Sequence, residues 1–267
     1  MATAFLWNNH LASCFIGDIG TAALSVLPLS NIQDPQPRLR ARWVPATGVQ
    51  IWADLGSSVE VSAVAFISTT LGMSGGTPTV RVQLSDDAAF GTATWDTGTY
   101  AVSTDDAAGG NVVLLHETSA TGRYMRIDMD DAAASELDVG RIIAGPLWRC
   151  AYSYAYGMQE GRMILDRRDR NPHSGAEFPV PAVFNPRQAS FSLPYVSTTE
   201  ATAEWRTMLD TLGAVGDVLW IPDDTLSPTE LNRRCIFGAA LPPTESALLQ
   251  RAGFRHHTRG FTITERV

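Results

Sequence analysis

Apolar and polar residues alternate with a period of two through several stretches of the first half of the chain, and each stretch ends at a turn-forming residue. Ile51-Trp52-Ala53-Asp54-Leu55-Gly56 alternates and stops at glycine, Val59 to Ile67 follows, and Thr79 to Ser85 alternates again ahead of Asp86-Asp87. The half is organised around Gly122-Arg123-Tyr124-Met125-Arg126-Ile127-Asp128-Met129-Asp130. There Tyr124 to Asp130 alternates over one strand length, and a linker of small and acidic residues leads to a second short strand, Val139 to Ala144. A two-residue period puts successive side chains on opposite faces of a sheet. These stretches therefore predict strands in the order of a jelly roll, with the last two closing a β-sandwich.

The pattern changes after Gly145-Pro146, and a domain boundary is placed near Leu147. Tyr152, Tyr154 and Tyr156 fall on one face of an expected strand, where burial in a core or an interface is the reading set beside a sugar-stacking platform. Arg167-Arg168-Asp169-Arg170 reads as a solvated, self-compensating loop, with contact to a neighbouring subunit as the sharper alternative. Ser197-Thr198-Thr199-Glu200 is a capping box. Behind it Ala201, Trp205, Met208, Leu209 and Leu212 share one face at helical spacing, and Gly213 stops the run, so a helix is expected near 198–212. Strands are expected at Ser190 to Tyr195, Asp217 to Ile221, Arg234 to Gly238 and Gly260 to Arg266. The fold class is thus mainly β. Residues 1–27 form an N-terminal segment that is expected to pack with the C-terminal domain, 28–146 form the jelly roll, and 147–267 form a second β domain with one helix.

The order of pieces over about a hundred residues resembles the galactose-binding, discoidin-like jelly roll carried by tail proteins of long-tailed bacteriophages. The pieces are Ile51 to Gly56, Val64 to Ile67, Val80 to Asp86, Trp95-Asp96-Thr97-Gly98, Arg123 to Ile127 and Val139-Gly140-Arg141. Leu29-Ser30-Asn31-Ile32-Gln33-Asp34-Pro35, followed by Arg42 and Trp43, is similar to the phrase that opens that jelly roll. The later run of a strand, a helix, Leu219-Trp220-Ile221-Pro222-Asp223, Ile236-Phe237-Gly238 and Phe261-Thr262-Ile263-Thr264-Glu265-Arg266 looks like the C-terminal half of distal-tail proteins.

The resemblance implies a structural component of a virion tail, made in a bacterial cytoplasm and placed at the tail tip between the tail tube and the hub. It also implies a closed homo-oligomeric ring, a hexamer first and a trimer next. Tyr152, Tyr154, Tyr156, Arg167, Arg168 and Arg170 are the candidate assembly surface. The alternative it carries is a carbohydrate-binding module touching host surface glycans. Trp43, Trp95, Asp96 and Tyr100 are then the candidate sugar contacts, with Trp43 and Trp95 equally readable as core.

Composition narrows the classes further. The 267 residues carry 20 basic and 28 acidic side chains, a net charge of −8, and every basic residue is arginine. Nucleic-acid binding is not expected, since it needs clustered positive charge to displace counterions from phosphates. No apolar run approaches the length of a membrane span, and no secretory leader opens the chain. Cys14, Cys150 and Cys235 lack metal or disulfide spacing and read as buried thiols. Leu71-Gly72-Met73-Ser74-Gly75-Gly76 lacks the lysine of a phosphate cradle and reads as a flexible loop. Asp86-Asp87, Asp105-Asp106 and Asp130-Asp131 read as solvated turns rather than calcium ligands. His256-His257 would point to opposite strand faces and share no ion. No nucleophile elbow and no paired catalytic residues are identifiable, so neither an enzyme nor a cofactor is expected.

Overall fold

The computed structural model of the chain describes residues 2–102, 110–170, 173–182, 184–213, 216–241, 250–251 and 256–266. It is mainly β and divides into two compact units, one of residues 1–153 and 218–235 and one of residues 154–217 and 236–266. The division falls after Ser153 rather than at Leu147, and residues 218–235 go with the first unit.

The first unit is built on an antiparallel sheet. Its central strands are β4 (Val49–Ile67) and β8 (Asn111–Asp130), flanked by β5 (Thr79–Ser85), β6 (Trp95–Asp96) and β10 (Arg141–Gly145) in the order β10-β4-β8-β5-β6. β2 (Phe15–Asp18) adds to β4, and β7 (Tyr100–Ala101) adds to β5. A second, two-stranded sheet pairs β3 (Ala41–Trp43) with β9 (Leu137–Val139), and its Trp43, Leu137 and Val139 join the apolar core made by Ile51, Val82 and Ile127. Every second residue of Val49 to Ala53 and of Met125 to Met129 enters that core, each large apolar side chain contributing about 1.5–3 kcal/mol by leaving water.

Two glycines explain where the strands depart from the expected bounds. Gly56 does not end a strand, because Val49 to Ile67 is continuous and the register with β8 shifts between Asp54 and Val59. Gly56 sits there at φ +82°, its N–H donating to Asp54 Oδ1 at 2.9 Å, so the chain bulges and resumes. Gly140, in contrast, divides the expected strand Val139 to Ala144. A Cβ there would lie 2.2 Å from the Pro37 carbonyl oxygen, and at this close approach the chain leaves the β3–β9 pair and joins β4 as β10.

The expected flexible loop at Leu71 to Gly76 is tied to the fold. Leu71 is buried in the core, and the Gly72 N–H donates to Asp131 Oδ2 at 3.2 Å. Asp131, Asp130 and Asp87 all accept backbone N–H groups in turns. Asp105-Asp106 lies outside the described residues.

The N-terminal segment serves two places in this unit. Phe15 to Asp18 extends the large sheet as β2, whereas β1 (Ala4–Leu6) lies between β11 (Trp148–Arg149) and β16 (Asp217–Ile221). Phe5 stacks on Trp148 there, ring centroids 5.2 Å apart. A helix not foreseen from the sequence, Pro228–Arg234, follows; Ser227 caps it and Pro228 occupies its first turn. Its buried Asn232 accepts the Val113 N–H of β8 at 2.8 Å.

The second unit holds β12 (Gln159–Arg162), β15 (Arg187–Ser197), β17 (Ile236–Leu241) and β19 (His256–Glu265), ordered β17-β19-β15-β12, with β18 (Gln250–Arg251) on β19. The expected helix is present as Thr198–Glu200, a π-turn over Ala201–Trp205, and Arg206–Leu212, with the Ser197–Glu200 capping box formed and Gly213 at its end. Trp205 meets Phe261 edge to face at 4.7 Å, and Phe261 stacks on Phe191 at 5.2 Å. Glu265 receives Arg187 at 2.8 Å through Nε. A separate hairpin pairs β13 (Arg167–Arg170) with β14 (Glu177–Val180), every residue of the two strands exposed.

Candidate functional site

The alternation that sends Val49, Ile51 and Ala53 inward leaves Gln50, Trp52 and Asp54 on the other face of β4. The same holds for Tyr124, Arg126 and Asp128 on β8. Register then sets these side chains in rungs across three strands. Gln50, Asp128 and Arg81 form one rung, Trp52, Arg126 and Gln83 the next, and Asp54, Tyr124 and Ser85 the third.

The ionic groups on this face are paired with one another. Arg81 grips Asp96 with two bonds, Nε to Oδ1 at 2.9 Å and Nη2 to Oδ2 at 2.5 Å, and Gln83 donates to the same Asp96 Oδ2 at 2.9 Å. The Arg81 guanidinium, with smaller help from the Gly98 N–H and the Gln83 amide, holds the Asp96 carboxyl well below the usual carboxylate range. Arg123 grips Asp54 in the same two-bond fashion at 2.8 Å each, which lowers the Asp54 carboxyl to about 2. Arg126 donates to Gln83 Oε1 and lies 3.5 Å from Asp128. Burial pushes the Asp128 carboxyl up, against the pull of Arg126 and Arg81.

Two features on this face fit a ligand. At the first rung a cleft of about 220 Å³ opens, lined by Gln50, Thr79, Arg81, Thr99, Asp128 and Asp130. It offers an amide, a guanidinium, carboxylates and two hydroxyls within one space, donors beside acceptors. On the later rungs lies a row of aromatic rings. Trp52 stacks with Tyr124 at 5.6 Å, Phe15 meets the edge of Trp52 at 5.9 Å, and Arg123 covers Tyr124 at 5.0 Å. Phe15 is 69% exposed.

The residues singled out from the sequence do not converge. Of the two readings of Trp43, the structure shows the core one: it is fully buried, and its Nε1 donates to Asp18 Oδ1 at 3.1 Å. Trp95 is 6% exposed and its ring lies nearly perpendicular to that of His116, centroids 5.1 Å apart. With Tyr100 it lines a second cleft, about 290 Å³ and largely apolar, between Val113, Leu115, Leu226 and Leu231. Asp96, next to Trp95 on a two-residue strand, points the other way and belongs to the polar face.

The expected tyrosine strand is absent. Tyr152, Tyr154 and Tyr156 lie in irregular chain; Tyr152 and Tyr156 are exposed, and Tyr154 tilts against Phe191 at 6.2 Å. Arg167, Arg168 and Arg170 lie on a strand rather than in a loop, because β13 pairs with β14; Arg168 approaches Glu177 at 3.8 Å and Arg170 donates to the Gly175 carbonyl. His256 and His257 are on β19, opposite Ser197 and Val196. Among the described residues no cluster of three metal-ligating side chains occurs. No described helix is long and apolar enough to cross a membrane.

Gln50, Trp52, Arg81, Tyr124, Arg126 and Asp128 were not recognised from the sequence as a site. Their signal is present in the solvent-side positions of the alternating strands, which hold Trp, Tyr, Arg, Asp and Gln. Only the register shows that these positions meet.

No protein-family model matches the chain, and no curated protein matches it. Among solved structures it is similar to chitosan-binding module 1 from a chitosanase/glucanase of Paenibacillus sp. IK-5, at 19% identity and TM-score 0.40 over 52% of this chain and 99% of that one. It is similar to the first CBM32 of a family 31 glycoside hydrolase from Clostridium perfringens, at 10% identity and TM-score 0.40 over 52% and 99%. It is also similar to the lectin domain of lectinolysin complexed with Lewis B antigen, at 11% identity and TM-score 0.39 over 51% and 95%. At these scores the likenesses say nothing about which residues here would meet a ligand.

Proposed function

We propose that this chain binds glycans through the cleft on the outer face of the first unit. The observation that carries the reading is the rung of Gln50, Asp128 and Arg81, an amide, a carboxylate and a guanidinium side by side with Thr79 and Thr99 over the same cleft. Vicinal hydroxyls need donors and acceptors alternating at short spacing, and they need them fixed in advance so that little side-chain freedom is lost on binding. Arg81 is held by Asp96, and both sit on paired strands. The role in this reading is binding, with the Asp96 carboxyl beside the cleft taken up by Arg81 and Gln83. Titration calorimetry against a panel of oligosaccharides tests this. Arg81→Ala and Asp128→Ala are each expected to weaken binding at least tenfold, and unchanged affinity in both variants overturns the assignment.

A structural role in a phage-type tail is the second reading, as a homo-oligomeric ring at the tail tip, a hexamer first and a trimer next, meeting tube and hub proteins. The observation that favours it is the exposure of Tyr156, Ile164, Leu165 and Phe178 in the second unit, the kind of apolar side chain that assembly covers. The virion tail is the corresponding location. Light scattering on the purified protein decides on the ring: a mass of six or three chains supports it, and a strict monomer at high concentration counts against it.

A further inference from the structure

We infer that the ligand is a neutral, extended glycan chain, held over several sugar units along the direction of β8, with the Trp52–Tyr124–Phe15 row as the subsite beyond the cleft. This rests on the glycan reading above and goes further in naming the class of glycan. The cleft sits at the Asp128 rung and the stacked Trp52–Tyr124 pair at the next two rungs. The four residue steps of antiparallel strand from Asp128 back to Tyr124 span roughly 14 Å, more than one sugar ring occupies. A ligand ending at the cleft would leave this row unused. A chain continuing from it would lay its apolar ring faces on Trp52 and Phe15, which the sheet leaves half-buried and exposed.

The charge pattern selects neutrality. Three arginines on the face meet three carboxylates, Arg81 with Asp96, Arg123 with Asp54 and Arg126 with Asp128, and Asp130 stands at the rim of the cleft. No cationic excess is left to attract a uronate. A carboxylate on the ligand would have to displace Asp96 or Asp54 from a two-bond grip on arginine, which few exposed groups do without loss.

The test is calorimetry with N-acetylglucosamine, glucose and mannose, with the β-1,4-linked tetrasaccharide of each, and with tetragalacturonate. At least one neutral tetrasaccharide is expected to bind tenfold or more tighter than its monosaccharide and than tetragalacturonate. Trp52→Ala is expected to remove most of that gain, and Trp52→Phe to restore part of it, with thermal melting confirming that both variants fold. Equal affinity for monosaccharide and tetrasaccharide, with Arg81→Ala weakening both, overturns the extended chain while leaving the glycan site standing. Tighter binding of tetragalacturonate overturns neutrality alone. Absence of binding to every sugar overturns the glycan reading itself.

Discussion

The outer face of the first unit and the hairpin of the second both expose charged and aromatic side chains, yet they are built in opposite ways. On the face, three hydrogen-bonded strands backed by a core fix the rungs, and each arginine meets its carboxylate at 3.5 Å or less. On the hairpin, β13 and β14 pair only with each other among the described residues, and Arg168 lies 3.8 Å from Glu177. An isolated two-stranded hairpin is marginal in water. The difference is between a surface fixed by several paired strands over a core and one held by a single pair of strands.

Cutting beneath each surface would break the comparison most sharply. Ile127→Ala removes a fully buried side chain under the polar rungs, and a loss of about 2–4 kcal/mol is expected from the cavity. Phe178→Ala, on a residue 56% exposed, should change stability by less than about 0.5 kcal/mol. Urea denaturation of both variants reads the contrast, and similar losses would show that the hairpin is packed in solution.

A smaller effect is expected at the unforeseen helix. Asn232→Ala leaves the buried Val113 N–H of β8 without its acceptor and should destabilise by about 1–3 kcal/mol. A value near zero would mean that water replaces the side chain.

The smallest effect sharpens the electrostatic side. Asp54 has a folded value of about 2, below its unfolded value of about 4. Its contribution is therefore present above pH 4 and is lost as pH falls towards 2. Asp96 acts in the same direction at still lower pH, and Asp128, raised by burial, opposes both. Asp54→Asn should flatten the fall in stability between pH 4 and 2 that the wild type shows; an unchanged slope would mean that Arg123 releases Asp54 in solution.

Much of this architecture was legible in the sequence because its cause is local. The alternation of Thr79 to Ser85 and Tyr124 to Asp130 marks strands without any partner, and Ser197 with Glu200 marks a helix start. Ser227-Pro228-Thr229-Glu230 carries the same kind of signal, with proline in the first turn, and the helix it opens could have been read from it. What was not legible depends on distant partners. Gly56 looks like a stop until β8 is seen to continue beside it. Gly140 looks like an ordinary strand glycine until the Pro37 carbonyl is found against it. Trp43 reads as sugar contact or core until the core is seen to close over it, and the candidate site is a matter of register between strands roughly fifty to eighty residues apart.

The central strands carry two messages interleaved one residue at a time. Ile51, Ala53, Met125 and Ile127 spell the core, and Gln50, Trp52, Arg126 and Asp128 spell the outer face. Because the two sets face opposite ways, the second can be rewritten while the first is left intact. The outer face of this scaffold is therefore free to drift, by lineage or by design, along every other letter of Val49 to Asp54 and Tyr124 to Met129.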